Sequence, residues 1–352
     1  MNNTIFSSFV LILLLACNKD KDYKQEPMPP LPVDIHIVGS VPENNLHKPY
    51  YIKNGTAQVL PYWGGTGAIA DDIFVSEKDV YIVGRLTTGT STMNSTRKPV
   101  LWKNGVLEEL KIAEGVISAD AIAVYVAKGN VYAAGYRAVP KKKSIATVWK
   151  NGAARNITDG TNEARLQDVF VSGTDIYVTG YEKNAAGTPV AKYWKNGSPV
   201  ELSDGQHVSY AMSIYVDKED VYVTGYAYEE GDCNIKLWKN GQATNLTSGS
   251  AVAMGRKVWV EDGDVYVGGY EQIGDRFAPF AWKNGSRMDL NFSAEGHSLA
   301  YDASIVKGHL FIVGTQKING ANQCTLWQNG IPVAASANVP NITPSGLFVV
   351  EQ

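Results

Sequence analysis

A tetrapeptide, Trp-Lys-Asn-Gly, recurs along this chain of 352 residues at a nearly constant interval. No other feature of the sequence limits the possible folds as strongly. Two degenerate copies, beginning at Ile52 and Trp327, extend the series, so that seven copies begin 44 to 50 residues apart. Such a period indicates an array of repeated supersecondary units. The five intact copies begin at Trp102, Trp149, Trp194, Trp238 and Trp282.

A second motif keeps the same interval and places short strands within each repeat. In one repeat it reads Val80-Tyr81-Ile82-Val83-Gly84, and the alternating triplet Ile73-Phe74-Val75 precedes it across a four-residue turn. The Asn-Gly dipeptide suits a type I′ hairpin turn, because both central positions of that turn need positive φ. Each repeat is therefore expected to contain four short β-strands. The other copies of the motif begin at Ile35, Val131, Ile176, Val221, Val265 and Leu310.

The pattern of four strands per repeat resembles bacterial propeller repeats from about residue 34 to the end of the sequence. This resemblance implies an all-β fold: a seven-bladed β-propeller with four antiparallel strands per blade. The first repeat lacks a first strand, whereas Gly346-Leu347-Phe348-Val349-Val350 is a first strand with nothing after it. We therefore expect the C-terminal strand to complete this first and last blade and to remove the open sheet edges.

The repeated aromatic residues are expected to be structural. The Trp residues hold a fixed strand position, as residues packed between blades would; a lectin that stacks sugars on aromatic faces is the alternative. Phe74 and Tyr81, like their equivalents in other blades, are expected to be cross-strand partners. Asp79 and its equivalents end a hairpin turn, where Asp often bonds its own backbone, and no calcium-loop pattern accompanies them.

The N-terminal residues predict export and lipidation. Residues 5–16 form an apolar run, which is shorter than the roughly 20 residues of a spanning helix. The run ends in Leu14-Leu15-Ala16-Cys17, which resembles the lipobox of bacterial lipoproteins and implies acylation of Cys17. An ordinary signal peptide with an incidental Cys is the alternative. We expect a signal peptide in residues 1–16, a lipidated, proline-rich tether in residues 17–33 and the propeller in residues 34–352.

Composition argues against several classes of function. With 32 basic and 35 acidic residues, the net charge of -3 provides no general attraction for nucleic acid. The 3 Cys and 5 His residues lack metal-ligand spacing, and no local catalytic or phosphate-binding motif occurs. We expect a monomer without metal or cofactor and predict no catalytic residue, although several blades together could still assemble an enzymatic site.

Basic residues concentrate in one loop class of two adjacent blades. The loops that join second and third strands vary most, and they are expected to share a face with the loops that enter first strands. The equivalent loop of the fifth blade is acidic, with Glu229, Glu230 and Asp232. The basic residues predict a site for an anionic glycan or an acidic partner, with ordinary solvated loop tips as the alternative. This basic edge consists of Arg97, Lys98, Arg137, Lys141, Lys142 and Lys143.

Two further sets of positions break the repeat near the predicted mouth of the channel. The pairs before the first strands include Asp71-Asp72, Gln167-Asp168, Arg256-Lys257 and Asp302-Ala303, the last followed by a weak triplet, Ser304-Ile305-Val306. The residue after each second-strand Gly is a candidate for a shallow ligand surface, with strand-end packing as the alternative. These candidates are Arg85, Tyr136, Tyr181, Tyr226 and Tyr270.

Together these features predict a lipid-anchored binding or scaffold module of the cell envelope. It would recognise a glycan or an envelope protein through one propeller face, from an outer-membrane anchor that leaves periplasmic and surface orientations open. Two alternatives remain. One is a carbohydrate-active enzyme, for which Asp71, Asp168, Asp302 and Arg256 at the channel mouth are the candidates. The other is a structural subunit of an envelope complex.

Overall fold

A computed structural model describes residues 31–44, 46–89, 95–249, 251–335 and 339–352. Cys17, the predicted signal peptide and most of the predicted tether lie outside these residues. The described residues form 28 β-strands in seven sheets of four, which confirms the predicted seven-bladed β-propeller. Within this part of the chain, we find no helix with the length and apolar character that a membrane crossing needs.

The strands follow one another in chain order, four to a blade, except that the last strand belongs to the first blade. Blade 1 contains β1 (Val33–Glu43), β2 (Leu46–Lys53), β3 (Thr56–Val59) and β28 (Thr343–Glu351). Blade 2 contains β4 (Gly67–Ser76), β5 (Asp79–Thr88), β6 (Thr96–Lys103) and β7 (Val106–Glu109). Blade 3 contains β8 (Ser118–Ala127), β9 (Asn130–Ala138), β10 (Ile145–Lys150) and β11 (Ala153–Asn156).

The remaining blades repeat this plan. Blade 4 contains β12 (Ala164–Ser172), β13 (Asp175–Lys183), β14 (Pro189–Lys195) and β15 (Ser198–Glu201). Blade 5 contains β16 (Ser209–Asp217), β17 (Asp220–Glu229), β18 (Asp232–Lys239) and β19 (Gln242–Asn245). Blade 6 contains β20 (Ala253–Glu261), β21 (Asp264–Ile273), β22 (Arg276–Lys283) and β23 (Ser286–Asp289). Blade 7 contains β24 (Leu299–Val306), β25 (His309–Ile318), β26 (Ala321–Gln328) and β27 (Ile331–Ala334).

The two ends of the propeller pair in blade 1 and close the ring. Strand β28 pairs antiparallel with β1, with Val33 opposite Glu351 and Ile37 opposite Leu347, so this sheet has the order β28-β1-β2-β3. The innermost strands of neighbouring blades contact one another in an unbroken cycle: β28, β4, β8, β12, β16, β20, β24 and again β28. The expected closure is therefore present.

Apolar cores lie between neighbouring blades, and the repeated Trp fills six of them. Trp102 is fully buried in a core that includes Val38 of blade 1, and Trp149 occupies the next core with Tyr81 of blade 2. In the core between blades 7 and 1, Ile52 takes the equivalent position beside Phe311. The Trp residues thus pack blade against blade, as the sequence predicts.

The Lys and Asn side chains of the motif bind the hairpin of the third and fourth strands to the turn between the first and second strands. Asn104 and Gly105 have φ values of 51° and 80°, as a type I′ turn requires. The Asn104 amide donates to Asp79 (2.8 Å), and Lys103 Nζ lies 3.0 Å from the same carboxylate and 5.2 Å from the centre of the Tyr81 ring. Asp79 was expected to bond its own turn; its carboxylate instead accepts these two side chains, which reach it from the end of the third strand and from the Asn-Gly turn.

A β-bulge in the inner strand explains the invariant Gly of the second motif. Opposite Gly84, the register shifts between Ala70 and Asp72, so the carbonyl of Ile69 approaches the second strand. A Cβ on Gly84 would lie 2.0 Å from that carbonyl oxygen, closer than any side chain tolerates. The same close approach occurs at Gly39, Gly135, Gly180, Gly225, Gly269 and Gly314.

One expectation about the inner strands needs correction, and another is confirmed. In blade 7 the bulge falls at Tyr301-Asp302, so the pair taken as Asp302-Ala303 is displaced by one residue and Ser304 occupies the aromatic position opposite Phe311. Phe74 does lie opposite Tyr81 in the register. However, the ring contacts of Phe74 join it to the neighbouring blades, with the Tyr125 and Phe348 rings each centred 4.8 Å away.

We expect deletion of residues 346–352 to lower Tm by more than about 10 °C. The deletion removes the innermost strand of blade 1, including Leu347 and Val349, which are buried in the core between blades 7 and 1. It also exposes the edge of β1. Deletion of Gln352 alone is the control and should change Tm by no more than about 2 °C. Calorimetry measures both variants, and a truncated protein that melts within a few degrees of the parent contradicts the closure.

Candidate functional site

The propeller has one face of variable loops and one face of uniform turns. Loops that enter first strands bond to the ends of second strands: the Thr66 N–H donates to the Thr87 carbonyl, and the Ile117 N–H donates to the Ala138 carbonyl. Both variable loop classes therefore share a side, which we call the loop face. The opposite side, called the turn face, carries the turns between first and second strands and the Asn-Gly turns.

Seven bulge residues form a ring inside the channel, and their acidic members tie neighbouring blades together. Asp72 accepts the main-chain N–H of Val124 in the next blade (2.8 Å), and Asp302 accepts that of Leu347 (2.7 Å). Asp168 does the same for Ile214 (3.1 Å) and also accepts the Ser213 hydroxyl. This bulge ring consists of Asp72, Ala123, Asp168, Ser213, Lys257, Asp302 and Gly346.

The charges of the bulge ring interact strongly because protein covers most of their surface. Burial raises the pKa of Asp72 to about 7 and that of Asp302 to about 6, although Lys257 opposes both shifts. The Nζ atom of Lys257 lies 3.5 Å from Asp168. Burial disfavours the charge of this lysine, but the carboxylates of Asp168, Asp302 and Asp72 outweigh that cost and raise its pKa.

On the loop-face side of the bulge ring, the predicted residue Asp71 joins a network of paired charges. Arg85 donates two hydrogen bonds to Asp71, at 2.9 and 2.8 Å. Burial nevertheless raises the pKa of Asp71 to about 6. Arg256 also lines this mouth of the channel and donates a long bond (3.5 Å) to the Tyr301 carbonyl. Of the predicted mouth residues, Asp71 thus lies in the network with Arg85, whereas Asp168 and Asp302 lie in the ring.

Asp120 holds together several predicted residues and was missed by sequence reasoning. This buried carboxylate accepts the Tyr136 hydroxyl (2.8 Å) and lies 3.0 Å from Arg97 Nε and 3.9 Å from Arg85 Nε. Arg165 covers the Tyr136 ring at 4.3 Å. A signal did exist, because the residue at this inner-strand position differs among the blades: it is Ile69, Asp120, Arg165, Tyr210, Met254 and Leu299 in blades 2 to 7.

The predicted tyrosines form a partial row rather than one open surface. Tyr181 and Tyr226 are joined through Tyr210, with ring centres 5.0 and 5.1 Å apart, and the row ends at the exposed Tyr228. Tyr181 itself is buried, as is Tyr136 beneath Arg165. Tyr270 lies apart from this row and bonds to the Met254 sulfur (2.8 Å).

The basic edge is less basic in the structure than in the sequence. Lys98 is paired with Glu109 (3.0 Å), and Arg97 is paired with Asp120. Arg137 is partly buried, so the freely solvated part of the edge consists of Lys141, Lys142 and Lys143. Lys142 donates to the main-chain carbonyl of Asp159 (3.3 Å). In the acidic loop of blade 5, Lys236 binds Glu229.

The fold is similar to solved peptidase structures. The Pyrococcus horikoshii acylaminoacyl peptidase is 12% identical, with a TM-score of 0.52 over 87% of this chain and 50% of that chain. A Mycobacterium tuberculosis puromycin-hydrolyzing peptidase is 13% identical, with a TM-score of 0.57 over 88% and 53%. The β-propeller domain of the Pyrococcus furiosus Trilobed protease is 9% identical, with a TM-score of 0.54 over 86% and 95%.

These similarities show the propeller fold alone. The chain spans about half the length of the first two peptidases. The Trilobed protease domain is described as having an open velcro topology, whereas β28 and β1 of this chain pair and close its ring. No protein-family model matches the chain, and no curated protein is similar to it in sequence.

We expect Asp72→Asn to raise Tm relative to the parent by about 2 to 4 °C at pH 8 and by less at pH 5. Because burial raises the pKa of Asp72 from 3.8 to about 7, the folded state binds more protons than the unfolded chain between these values. The carboxyl therefore contributes less stability as pH rises. An Asn at this position retains an oxygen for the Val124 N–H.

Asp79→Asn is the control of opposite sign. Hydrogen bonds from Asn104 and Lys103 lower the pKa of Asp79, so its charged form is favoured by folding and its replacement should lower Tm at pH 8. Differential scanning fluorimetry across pH 5 to 8 measures the difference between each variant and the parent. A difference for Asp72→Asn that does not change with pH contradicts the assignment.

Proposed function

We propose that this protein is a lipid-anchored binding or scaffold module of the cell envelope, which recognises a glycan or a protein through its loop face. The observation that carries the proposal is the difference between the two faces. On the turn face, blades 2, 4, 5 and 6 repeat one network of Asp, Lys and Asn side chains. The hydrogen bonds and ion pairs of this network explain why these residues are repeated. The residues of the loop face, in contrast, differ from blade to blade.

The loop face also offers an exposed aromatic side chain that the repeat does not require. Trp63 is 79% exposed in the loop that enters blade 2, and this loop bonds to the end of β5 through Thr66. An exposed Trp supplies a large apolar face for a sugar ring or a protein side chain. Trp63 falls outside both repeated motifs, so no repeat pattern marks it in the sequence.

The carbohydrate-active alternative has one observation in its favour. A general acid needs a raised pKa, and burial gives Asp72 a pKa of about 7 in a channel that Asp168 and Asp302 also line. However, each of these carboxylates already accepts a main-chain N–H of the next blade. Their positions therefore fit a structural role first, and a hydrolysis assay on any glycan that binds tests the alternative.

The exposed lysines provide the first test of the loop face. We expect the triple change Lys141→Ser, Lys142→Ser and Lys143→Ser to weaken binding of a heparin oligosaccharide, used as a polyanionic probe, by about 3- to 10-fold. Binding by the parent should also weaken as salt rises above 0.1 M, where screening acts over about 10 Å. Surface plasmon resonance measures both effects, and Tm should stay unchanged because the three side chains are exposed.

The matched control changes Lys78, Lys128 and Lys218 to Ser, which removes the same charge from the turn face. This control should leave the affinity for heparin unchanged. Equal losses in the two triple variants would mean that net charge alone determines binding. If neither variant changes the affinity, the site lies away from the lysines, and Trp63→Ala is the next variant to measure.

The predicted anchor has a separate test. We expect Cys17→Ser to move the protein from the membrane fraction to the soluble fraction, because acyl chains on Cys17 would hold it there. Immunoblots of fractionated cells measure the distribution, and metabolic labelling with a fatty-acid analogue should mark the parent only. Unchanged membrane association of the variant would indicate that residues 5–16 remain as a membrane segment.

A further inference from the structure

A cavity of about 260 Å³ occupies the channel on the turn-face side of the bulge ring. Six aromatic side chains at equivalent inner-strand positions line it, and Ser304 takes the seventh position. All six are partly exposed although they lie at the centre of the propeller, so solvent reaches them through the channel. They are Phe74, Tyr125, Phe170, Tyr215, Trp259 and Phe348.

These rings form a nearly continuous aromatic wall. From Phe348 through Phe74, Tyr125 and Phe170 to Tyr215, consecutive ring centres lie 4.8 to 4.9 Å apart, with interplanar angles of 48° to 56°. A regular seven-membered ring with this edge places its centres about 5.6 Å from the axis, so a cation on the axis lies within the roughly 6 Å range of a cation–π contact with each ring that turns its face inward. The same six rings also pack against the apolar cores between the blades, which holds their positions around the channel.

Among the charged residues that line the cavity, two carboxylates accompany one lysine. Asp72 and Asp168 lie among its lining residues, and Asp302 interacts with the same Lys257. Beyond the aromatic wall, Asp217 and Glu261 lie close enough to Tyr215 to raise the pKa of its hydroxyl, after burial as the larger cause. The cation among the lining residues is Lys257, whose Nζ atom lies 5.3 Å from the centre of the Trp259 ring.

We propose that this cavity binds a small organic cation with an alkylammonium head group. Aromatic faces attract such a group, and the carboxylates of the bulge ring add an electrostatic attraction from within the same channel. The cavity is large enough, because a dry cavity of about 150 Å³ accommodates benzene in another protein. The site is separate from the loop face, so this inference does not depend on the proposed function.

The lining chemistry favours an organic cation over other ligands. Within the described part of the chain, no group of three or more His, Cys, Asp or Glu side chains is placed to hold a metal ion. Anions would meet the carboxylates of Asp72 and Asp168. A neutral apolar ligand would gain the contact with the rings but not the electrostatic attraction, which makes it the proper comparison.

Isothermal titration calorimetry with choline and with its uncharged isostere 3,3-dimethylbutan-1-ol separates the electrostatic attraction from the contact with the rings. The two probes have the same shape, and titrations at matched ionic strength isolate the charge. We expect choline to bind at least 10-fold more tightly than the isostere. Equal affinities would overturn the proposal in favour of a general apolar pocket, and no binding of either probe would overturn it outright.

Titration with lysine methyl ester and with choline-headgroup vesicles then distinguishes a side chain or a lipid from a free ligand as the source of the cation.

Variants of the wall and of the lysine locate the site. Tyr215→Leu removes one aromatic face and should weaken choline binding by about 3- to 10-fold, whereas Tyr215→Phe keeps the ring and should bind choline as the parent does. Lys257→Met removes the opposing positive charge and should tighten choline binding. Circular dichroism verifies the fold of each variant. Tightening by Lys257→Met is a change that damage to packing does not produce, and unchanged affinity in all three variants would place the ligand elsewhere.

Discussion

No blade of this propeller has an apolar core of its own, so the stability of each blade depends on its contacts with the two neighbouring blades. Each of the seven apolar clusters lies between two blades, so every sheet is stable only when both neighbours are in place. The pairing of β28 with β1 supplies the last neighbour. Where blades 7 and 1 meet, Ile52 stands in place of the larger Trp, in a core with Phe311 and Leu347. Stability therefore belongs to the closed ring, and a change in one inter-blade core affects two sheets at once.

The inner bulge links this closure to the charges in the channel. The bulge turns one residue of each first strand toward the next blade, where the N–H of the following inner strand needs an acceptor. Asp72, Asp168 and Asp302 meet that need for Val124, Ile214 and Leu347, and the Ser213 hydroxyl does so for Val258. Carboxylates thereby become crowded in a narrow channel, and their mutual repulsion is offset in part by Lys257. The requirement for main-chain acceptors thus creates the negative field that makes the channel attractive to a cation.

The sequence predicts the architecture well because its determinants are local and repeated. Asn-Gly turns, the second-strand Gly and the alternating triplets each act within a few residues, so their period alone indicates the blades. The side-chain partners are harder to predict, since they join residues about one repeat apart: Asp120 with Arg97, or Phe74 with Tyr125. The one-residue error in blade 7 has a similar origin. Ser304 replaces the aromatic residue that marks the register elsewhere, so only the pairing with Phe311 identifies the bulge at Tyr301-Asp302.

The loop face has more basic residues in the sequence than remain unpaired for a partner in the structure. Arg85, Arg97 and Lys98 are all basic, yet each is paired with a carboxylate in its own or the next blade. Separating such a pair costs the energy of leaving one charge unpaired, so these residues serve recognition poorly unless a ligand replaces the lost partner. The lysines at 141–143 carry no such cost because they are already solvated. The solvated positive charge of the basic edge therefore lies in one loop of blade 3, and Trp63 and Tyr228 are exposed aromatic side chains from which a partner that covers more of the face could gain affinity.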